Sequence, residues 1–279
     1  MSATFTAGLV QTNSGNDPAA NADMIVARIA EAAQKGADFV LFPEVVTLVE
    51  TGAKNVAPKV TGFDADPYLP RFREAAKAAG VWVLIGSMVV EHETLDRKFA
   101  NRSVLISDAG EIVATYDKIH MFDVDLENGE SYRESKSYEP GGRAVVAETP
   151  WGKLGMTICY DIRFPHLYRA LAHAGAEIIA VPAAFTRPTG RAHWHVLLRA
   201  RAVEAQCVVL APAQTGEHMD GRKTYGHSLA VDPWGAVIAD GEEEPGIVLA
   251  EIDMEQVAKA RAKVPSLTHD RPFDLDAVT

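Results

Sequence analysis

Cysteine is scarce in this chain: there are two, Cys159 and Cys207, among 279 residues. Two cysteines cannot build a disulfide framework, nor by themselves a cysteine-rich zinc or iron–sulfur centre, and such scarcity points to a cytoplasmic setting. Long apolar runs are also missing. No uninterrupted stretch reaches the ~20 residues needed to cross a bilayer, and the opening MSATFTAGLVQTNSGNDP lacks the basic segment and apolar core of a secretory signal. Positive charge is short as well. With 27 Lys and Arg against 38 Asp and Glu, the formal net charge of -11 argues against a nucleic-acid or anionic-membrane surface, while leaving room for a local basic pocket for a small anion. No glycine-rich nucleotide motif stands in a suitable context, and no linker-like stretch divides the chain. We therefore expect one domain over residues 1–279, without a cofactor.

What is present is a repeated grammar. AAQKGADFVLFPE, residues 32–44, reads as a helix end, a glycine turn, a short apolar strand and a proline that stops strand pairing; LAHAGAEIIAVPAA, residues 171–184, repeats it. REAAKAAGVWVLIGS and RARAVEAQCVVLAPAQ supply two more helix-to-strand joints. A second phrase is duplicated too: RSVLISDAGEIVATYDK and GHSLAVDPWGAVIAD both read as strand, tight turn, strand. Two copies of each unit predict an α/β fold with two mixed sheets, helices outside them, and approximate internal twofold symmetry.

Four residues stand where chemistry can be done. Cys159 lies in GKLGMTICYDIRFP, where a buried strand stops abruptly and a polar, helix-starting segment begins. A packed core thiol is the ordinary alternative. Glu44 follows FVLFP at a strand end, Lys118 follows the first hairpin in ATYDKIHMFDVD, and Glu134 sits in the polar loop YRESKSY. Each also has a plain reading as a solvated charge. Together they form a set: Glu44 can accept the thiol proton and later activate water. Lys118 and the backbone N–H of Tyr160 can face a developing oxyanion. Glu134 can hold Lys118 and, as a like charge, raise the proton affinity of Glu44. Spacing alone does not establish that the four meet.

In this order, FPE with Glu44, YDKIHMFDVD with Lys118, YRESKSYEPGG with Glu134 and GMTICYDIRFP with Cys159 resemble the signatures of the nitrilase or carbon-nitrogen hydrolase superfamily, specifically its Nit-type amidases. The resemblance covers most of the chain. It implies a four-layer αββα sandwich, commonly a homodimer or higher homo-oligomer, and a catalytic triad of Glu44, Lys118 and Cys159 supported by Glu134. TGRAHWHVLLRARAVEAQCVVLAPAQTG and YGHSLAVDPWGAVIAD look more like the deaminated-glutathione amidase branch than a nitrile-converting one. His195 is a departure, because that branch usually carries Glu after the HW pair.

The resemblance implies a small amide carrying a carboxylate as substrate: deaminated glutathione, with 2-oxoglutaramate or 2-oxosuccinamate as ω-amidase alternatives. An N-carbamoyl compound and a non-catalytic partner-binding role are further alternatives. Arg163 is a candidate for gripping the carboxylate, since a guanidinium fork matches both oxygens, and pairing with Asp161 is its ordinary alternative. Phe185, Thr186, Arg187 and His195 are candidates for the pocket wall. His120, His193 and His195 invite a metal reading, but the HWH pair supplies no convincing third ligand, so no metal is expected. Cys207 reads as a packed strand residue.

Overall fold

A computed structural model describes residues 4–95, 98–125, 129 and 131–276. The first half runs β1 (Thr4–Gln11), α1 (Pro18–Gln34), β2 (Phe39–Leu41), the short α2 (Ala53–Val56), α3 (Leu69–Ala79), β3 (Trp82–Glu91), β4 (Phe99–Ile106) and β5 (Ile112–Asp117). A small hairpin follows, β6 (Asp123–Asp125) and β7 (Ser131–Arg133). The second half runs β8 (Val145–Thr149), β9 (Gly152–Met156), α4 (Pro165–His173), β10 (Ile178–Ala180), α5 (Arg187–Ala205) and β11 (Val208–Ala211). It continues through a second hairpin, β12 (Thr215–Glu217) and β13 (Lys223–Tyr225), then β14 (Leu229–Val231) and β15 (Val237–Asp240). Closing elements are β16 (Gly246–Asp253) and α6 (Glu255–Lys263).

Two six-stranded mixed sheets result, ordered β16-β1-β2-β3-β4-β5 and β8-β9-β10-β11-β14-β15. In the first, β1, β2 and β3 are parallel while β16, β4 and β5 pair antiparallel. In the second, β9, β10 and β11 are parallel while β8, β14 and β15 pair antiparallel. The expected duplication is thus present strand for strand, hairpins β4–β5 and β14–β15 included. Both parallel crossovers in each sheet carry a helix, as parallel pairing demands.

Period-two patterning sorts the side chains. Phe5, Ala7 and Leu9 of β1, Phe39 and Leu41 of β2 and Leu84 of β3 share one buried cluster with Leu154 and Met156 of β9 and with β10. Their neighbours Val40, Val83 and Ile85 point the other way, onto Ile25 and Ile29 of α1 and Phe72 of α3. Trp151, between β8 and β9, stacks on Phe5 of the opposite sheet at 4.5 Å between ring centroids. The helix α1 starts where Asp17 accepts the Ala19 N–H at 2.9 Å and Pro18 fills the first turn.

The carboxyl ends of the parallel strands converge. Gln214, after β11, accepts from Thr12 Oγ1 at 2.9 Å just beyond β1 and donates to the Glu44 carbonyl at 3.1 Å beyond β2. One fully buried amide therefore ties together the exits of three strands from two sheets, beside the residues discussed next.

Candidate active site

Glu44 reaches its position because β2 ends early and the Phe42–Glu44 segment runs against β3 at Gly86. A Cβ on Gly86 would lie 1.9 Å from the Phe42 carbonyl oxygen, so only glycine permits the approach. Ser87 then accepts the Val45 N–H at 2.7 Å, holding Val45 in the left-handed region at φ 48°. Lys118 stands one residue beyond β5, its N–H donating to the Asn101 carbonyl at 3.0 Å. Glu134 begins a 3-10 turn directly after β7 rather than lying in an open loop; its carboxylate accepts the Phe122 N–H at 2.6 Å.

Cys159 follows β9 and opens a 3-10 turn, Cys159–Arg163, with its own backbone at φ 48°. Left-handed geometry at a non-glycine residue costs energy and persists where surrounding structure enforces it. Here the enforcing residue is Asp161, fully buried. It accepts the Ile158 N–H at 2.9 Å, the Tyr116 hydroxyl at 2.7 Å and the His120 N–H at 3.0 Å, with His120 Nδ1 at 2.7 Å. Tyr116 and His120 flank Lys118 in sequence, so one carboxylate fixes both the thiol turn and the lysine strand. Sequence reading had only paired Asp161 with Arg163; its spacing two residues after the cysteine, at an N3 capping position, was the available signal.

The four expected groups do meet. Lys118 Nζ lies 2.8 Å from Glu44 Oε1 and 2.8 Å from Glu134 Oε2, and Cys159 lines the same pocket, where the Glu44 and Lys118 charges act on its thiol. Asn101, which the sequence offered no reason to choose, donates to Glu44 at 3.0 Å and Glu134 at 3.3 Å. Glu44 Oε2 accepts the Ala184 N–H at 2.9 Å, a contact from beyond β10. Glu44, Lys118 and Cys159 are buried, Lys118 to 2% exposure, and Glu134 is half-buried.

Electrostatics follow from that burial. Loss of solvent alone pushes the Glu44 carboxyl up, but the Lys118 charge and hydrogen bonds from Lys118, Cys159 and Asn101 bring it below the usual range. Glu44 is thus a carboxylate, and the expected rise in its proton affinity from Glu134 is overridden by the lysine between them. Burial disfavours the Lys118 ammonium, yet Glu134, Glu44 and Cys159 together hold it well above its ordinary value. Burial and then the Glu44 charge push the Cys159 thiol well up. The resting arrangement of Cys159, Glu44 and Lys118 is therefore neutral thiol, carboxylate and ammonium.

These groups line a pocket of about 340 Å³ whose walls include Val45, Leu48, Phe122, Tyr132, Tyr138, Tyr160, Phe185, Thr186 and Arg222. Its size suits a small molecule. Phe185 and Thr186 lie where expected. Arg163, Arg187 and His195 lie outside the lining: Arg163 sits over the Tyr160 and Phe185 rings at 5.8 and 5.5 Å and bonds His193 at 3.3 Å, Arg187 donates to the Thr224 carbonyl, and His195 faces Asp240. Arg222, unforeseen, does line it, and its Nε is buried without a partner among the described residues. Cys207 is buried just ahead of β11, its Sγ 3.0 Å from the Ala176 carbonyl.

A sandwich of paired α/β halves, with a thiol, a carboxylate and an ammonium gathered at one pocket, is an arrangement suited to hydrolysing carbon–nitrogen bonds. Residues 6–262 match the carbon-nitrogen hydrolase family, and the chain belongs to it. It is 43% identical to the deaminated glutathione amidase of Yersinia enterocolitica, over 94% of this chain and 92% of that one. The Mus musculus deaminated glutathione amidase is 41% identical over 88% of this chain and 76% of its own length. Among solved structures, the C. elegans NitFhit protein superposes with a TM-score of 0.88 at 34% identity, covering 96% of this chain and 65% of that one. Saccharomyces cerevisiae Nit3, a nitrilase-superfamily member, superposes at 0.86 with 29% identity, covering 97% of each chain. Among the described residues no helix is long and apolar enough to cross a membrane.

Proposed function

We propose that the whole chain, residues 1–279, acts as one carbon-nitrogen hydrolase domain that cleaves the amide of a small carboxylate-bearing compound, deaminated glutathione being favoured. The named activity of its relatives supports the substrate. The observation that carries the chemistry is the buried contact of Cys159 with Glu44, itself bonded to Lys118.

In the proposed cycle Cys159 Sγ attacks the amide carbon while Glu44 takes the thiol proton, so no free thiolate accumulates. The carbonyl π bond opens to an oxyanion, which Lys118 Nζ and the Tyr160 N–H stabilise. Collapse breaks the carbon–nitrogen bond; the departing nitrogen takes the proton from Glu44 and leaves as ammonia, and a thioester remains. Water then attacks the thioester carbon, giving its proton to Glu44. Breaking of the carbon–sulfur bond releases the acid, and Glu44 returns the proton to sulfur. Glu134 and Asn101 keep Lys118 and Glu44 aligned throughout.

Arg222 is the proposed anchor for the substrate carboxylate. The residue lines the pocket, its guanidinium stands 3.6 Å from Asp220, and its buried Nε has no hydrogen-bond partner among the described residues; Lys136 adds exposed positive charge to the same lining. Phe185 and Thr186 form the adjoining wall, with Arg163 supporting Phe185 from behind. The expected homodimer belongs to this proposal: the tail is pinned to α4 where Asp270 pairs with Arg169 and His173, yet Phe273 is 87% exposed and offers apolar surface to a second copy.

The test is ammonia release from deaminated glutathione, 2-oxoglutaramate, glutamine and neutral amides, with C159A as blank. Strong Cys159-dependent turnover of deaminated glutathione supports the proposal, whereas preference for 2-oxoglutaramate moves it to an ω-amidase. Release of carbon dioxide with ammonia from carbamoylated compounds identifies the carbamoyl alternative, and a folded C159A protein with undiminished turnover overturns the thiol mechanism.

A further inference from the structure

Three sequence-distant side chains converge on the surface away from the pocket: His195 from α5, His227 from the turn before β14 and Asp240 at the end of β15. None lines the catalytic pocket. His195 Nε2 is 3.2 Å from Asp240 Oδ2, and His227 Nδ1 is 2.9 Å and 3.2 Å from the two Asp240 oxygens. One ligand atom from each residue can be chosen so that all three lie within 4.8 Å of one another.

We propose that His195 Nε2, His227 Nδ1 and an Asp240 carboxylate oxygen bind one first-row divalent transition-metal cation, with zinc as the reference ion. The donors set the class. Two imidazoles and one carboxylate suit Zn2+, Ni2+ or Co2+; Ca2+ and Mg2+ need more oxygens, and a copper(I) or iron–sulfur site needs thiolates. Distances agree as well. Bonds of about 2.0–2.1 Å at tetrahedral angles put ligand atoms roughly 3.3–3.4 Å apart. The two edges through Asp240 Oδ2, 3.2 Å each, already have nearly that length.

The cradle is held before any ion arrives. His227 sits at φ 56°, fixed where its N–H donates to the Glu242 carbonyl at 2.6 Å and its carbonyl accepts the indole N–H of fully buried Trp194 at 2.8 Å. Tyr225 stacks on its ring at 4.4 Å between centroids. Asp240 accepts the Glu242 N–H at 2.8 Å. Only His195 must adjust, and its side chain is the most exposed of the three, leaving an entry path and a fourth position for water. Coordination at His227 Nδ1 places the ring proton on Nε2. Because its ligands come from α5 and from the last strands of the second sheet, the ion would staple the helix layer to that sheet rather than take part in turnover.

Metal-free full-length C159A protein, chosen so that the catalytic thiol cannot compete, is titrated with Zn2+ by calorimetry and then melted with and without excess Zn2+. One ion per chain at micromolar affinity or tighter, with a rise in melting temperature, is expected. His195→Gln, at a half-buried position where glutamine keeps a polar side chain, should weaken binding by more than the ~10–100-fold typical of outer-sphere changes and abolish the thermal shift; Asp240→Asn, at the exposed position, should do likewise. Zinc binding unchanged in both variants assigns the ion elsewhere and overturns the proposal, as does absence of saturable binding at millimolar Zn2+.

Discussion

Lys118 and Glu44 form a fully buried ion pair at 2.8 Å, and the second oxygen of Glu44 is held by the Ala184 N–H at 2.9 Å. Burial of such a pair brings little net stability, because desolvation offsets the attraction, but removing one partner leaves an uncompensated charge in a dry site. The pair is best understood as a device that keeps a carboxylate ionised next to a neutral thiol.

The two partners should therefore respond differently to substitution. Glu44→Gln keeps shape and leaves Lys118 paired with Glu134, so the protein should fold while turnover falls by about 100- to 10,000-fold. Lys118→Met strands Glu44 and Glu134 together; denaturant unfolding should show a loss of about 3–5 kcal/mol in addition to lost activity. Equal destabilisation by the two variants would contradict this account.

Stability should also depend on pH in two separable ways. Glu44 has its folded value depressed, so its contribution is present above about pH 4.3 and is lost as pH falls through the lower folded value. Cys159 and Cys207 are both raised, Cys207 to about 12. Their contribution is complete below about pH 8.5 and declines as pH climbs towards the folded values, because only the unfolded chain releases those protons. Burial depresses His218, so stability should already ease below about pH 6.5, stay level from about pH 7 to 8, and then fall by about 1–2 kcal/mol per thiol by pH 10. Replacing both cysteines by alanine should shrink that alkaline fall, leaving the part that the raised hydroxyls of Tyr116, Tyr138 and Tyr168 contribute, and keep the acid one.

Much of this was readable in advance, and the limits have physical causes. Helix-to-strand joints, hairpins and strand-end chemical groups leave local marks: a glycine after a helix, a proline after a strand, a periodicity that switches. The duplicated sheets were legible for that reason, whereas the meeting of Glu44, Lys118, Glu134 and Cys159 was implied by the family resemblance, because spacing alone does not bring distant residues together. Asn101 and Arg222 were not, since β4 and the β12–β13 hairpin reach the pocket only through long-range packing. His195 was placed against the substrate by its position in a motif, yet its helix turns it towards Asp240, 45 residues further on. The third ligand that the HWH pair lacks was out of reach of the sequence for the same reason, because His227 and Asp240 join His195 only in three dimensions.

Arg222 predicts a split in specificity. Arg222→Met keeps an apolar stem beside Tyr132, whose ring lies 5.9 Å from the guanidinium. KM for carboxylated amides should rise by 10-fold or more, roughly the 1.5–3 kcal/mol of a hydrogen bond to a charged group, with neutral amides little changed. Parallel losses on both substrate types would make Arg222 structural.

Asp161 offers the sharpest test of how the thiol is aimed. It does not line the catalytic pocket, but it accepts hydrogen bonds from the Ile158 N–H, the Tyr116 hydroxyl and the His120 N–H and so determines where Cys159 and Lys118 stand. Asp161→Asn keeps the volume and turns one acceptor into a donor, which then opposes a backbone N–H. Unfolding should show a loss of about 1–3 kcal/mol. The kinetic signature should lie in kcat rather than KM, because the pocket walls remain while the distance between sulfur and substrate carbon changes. Alkylation of Cys159 by a small amide-like electrophile should slow in proportion to kcat. A variant that loses stability while keeping full kcat and alkylation rate would show that the Cys159 turn is set without Asp161.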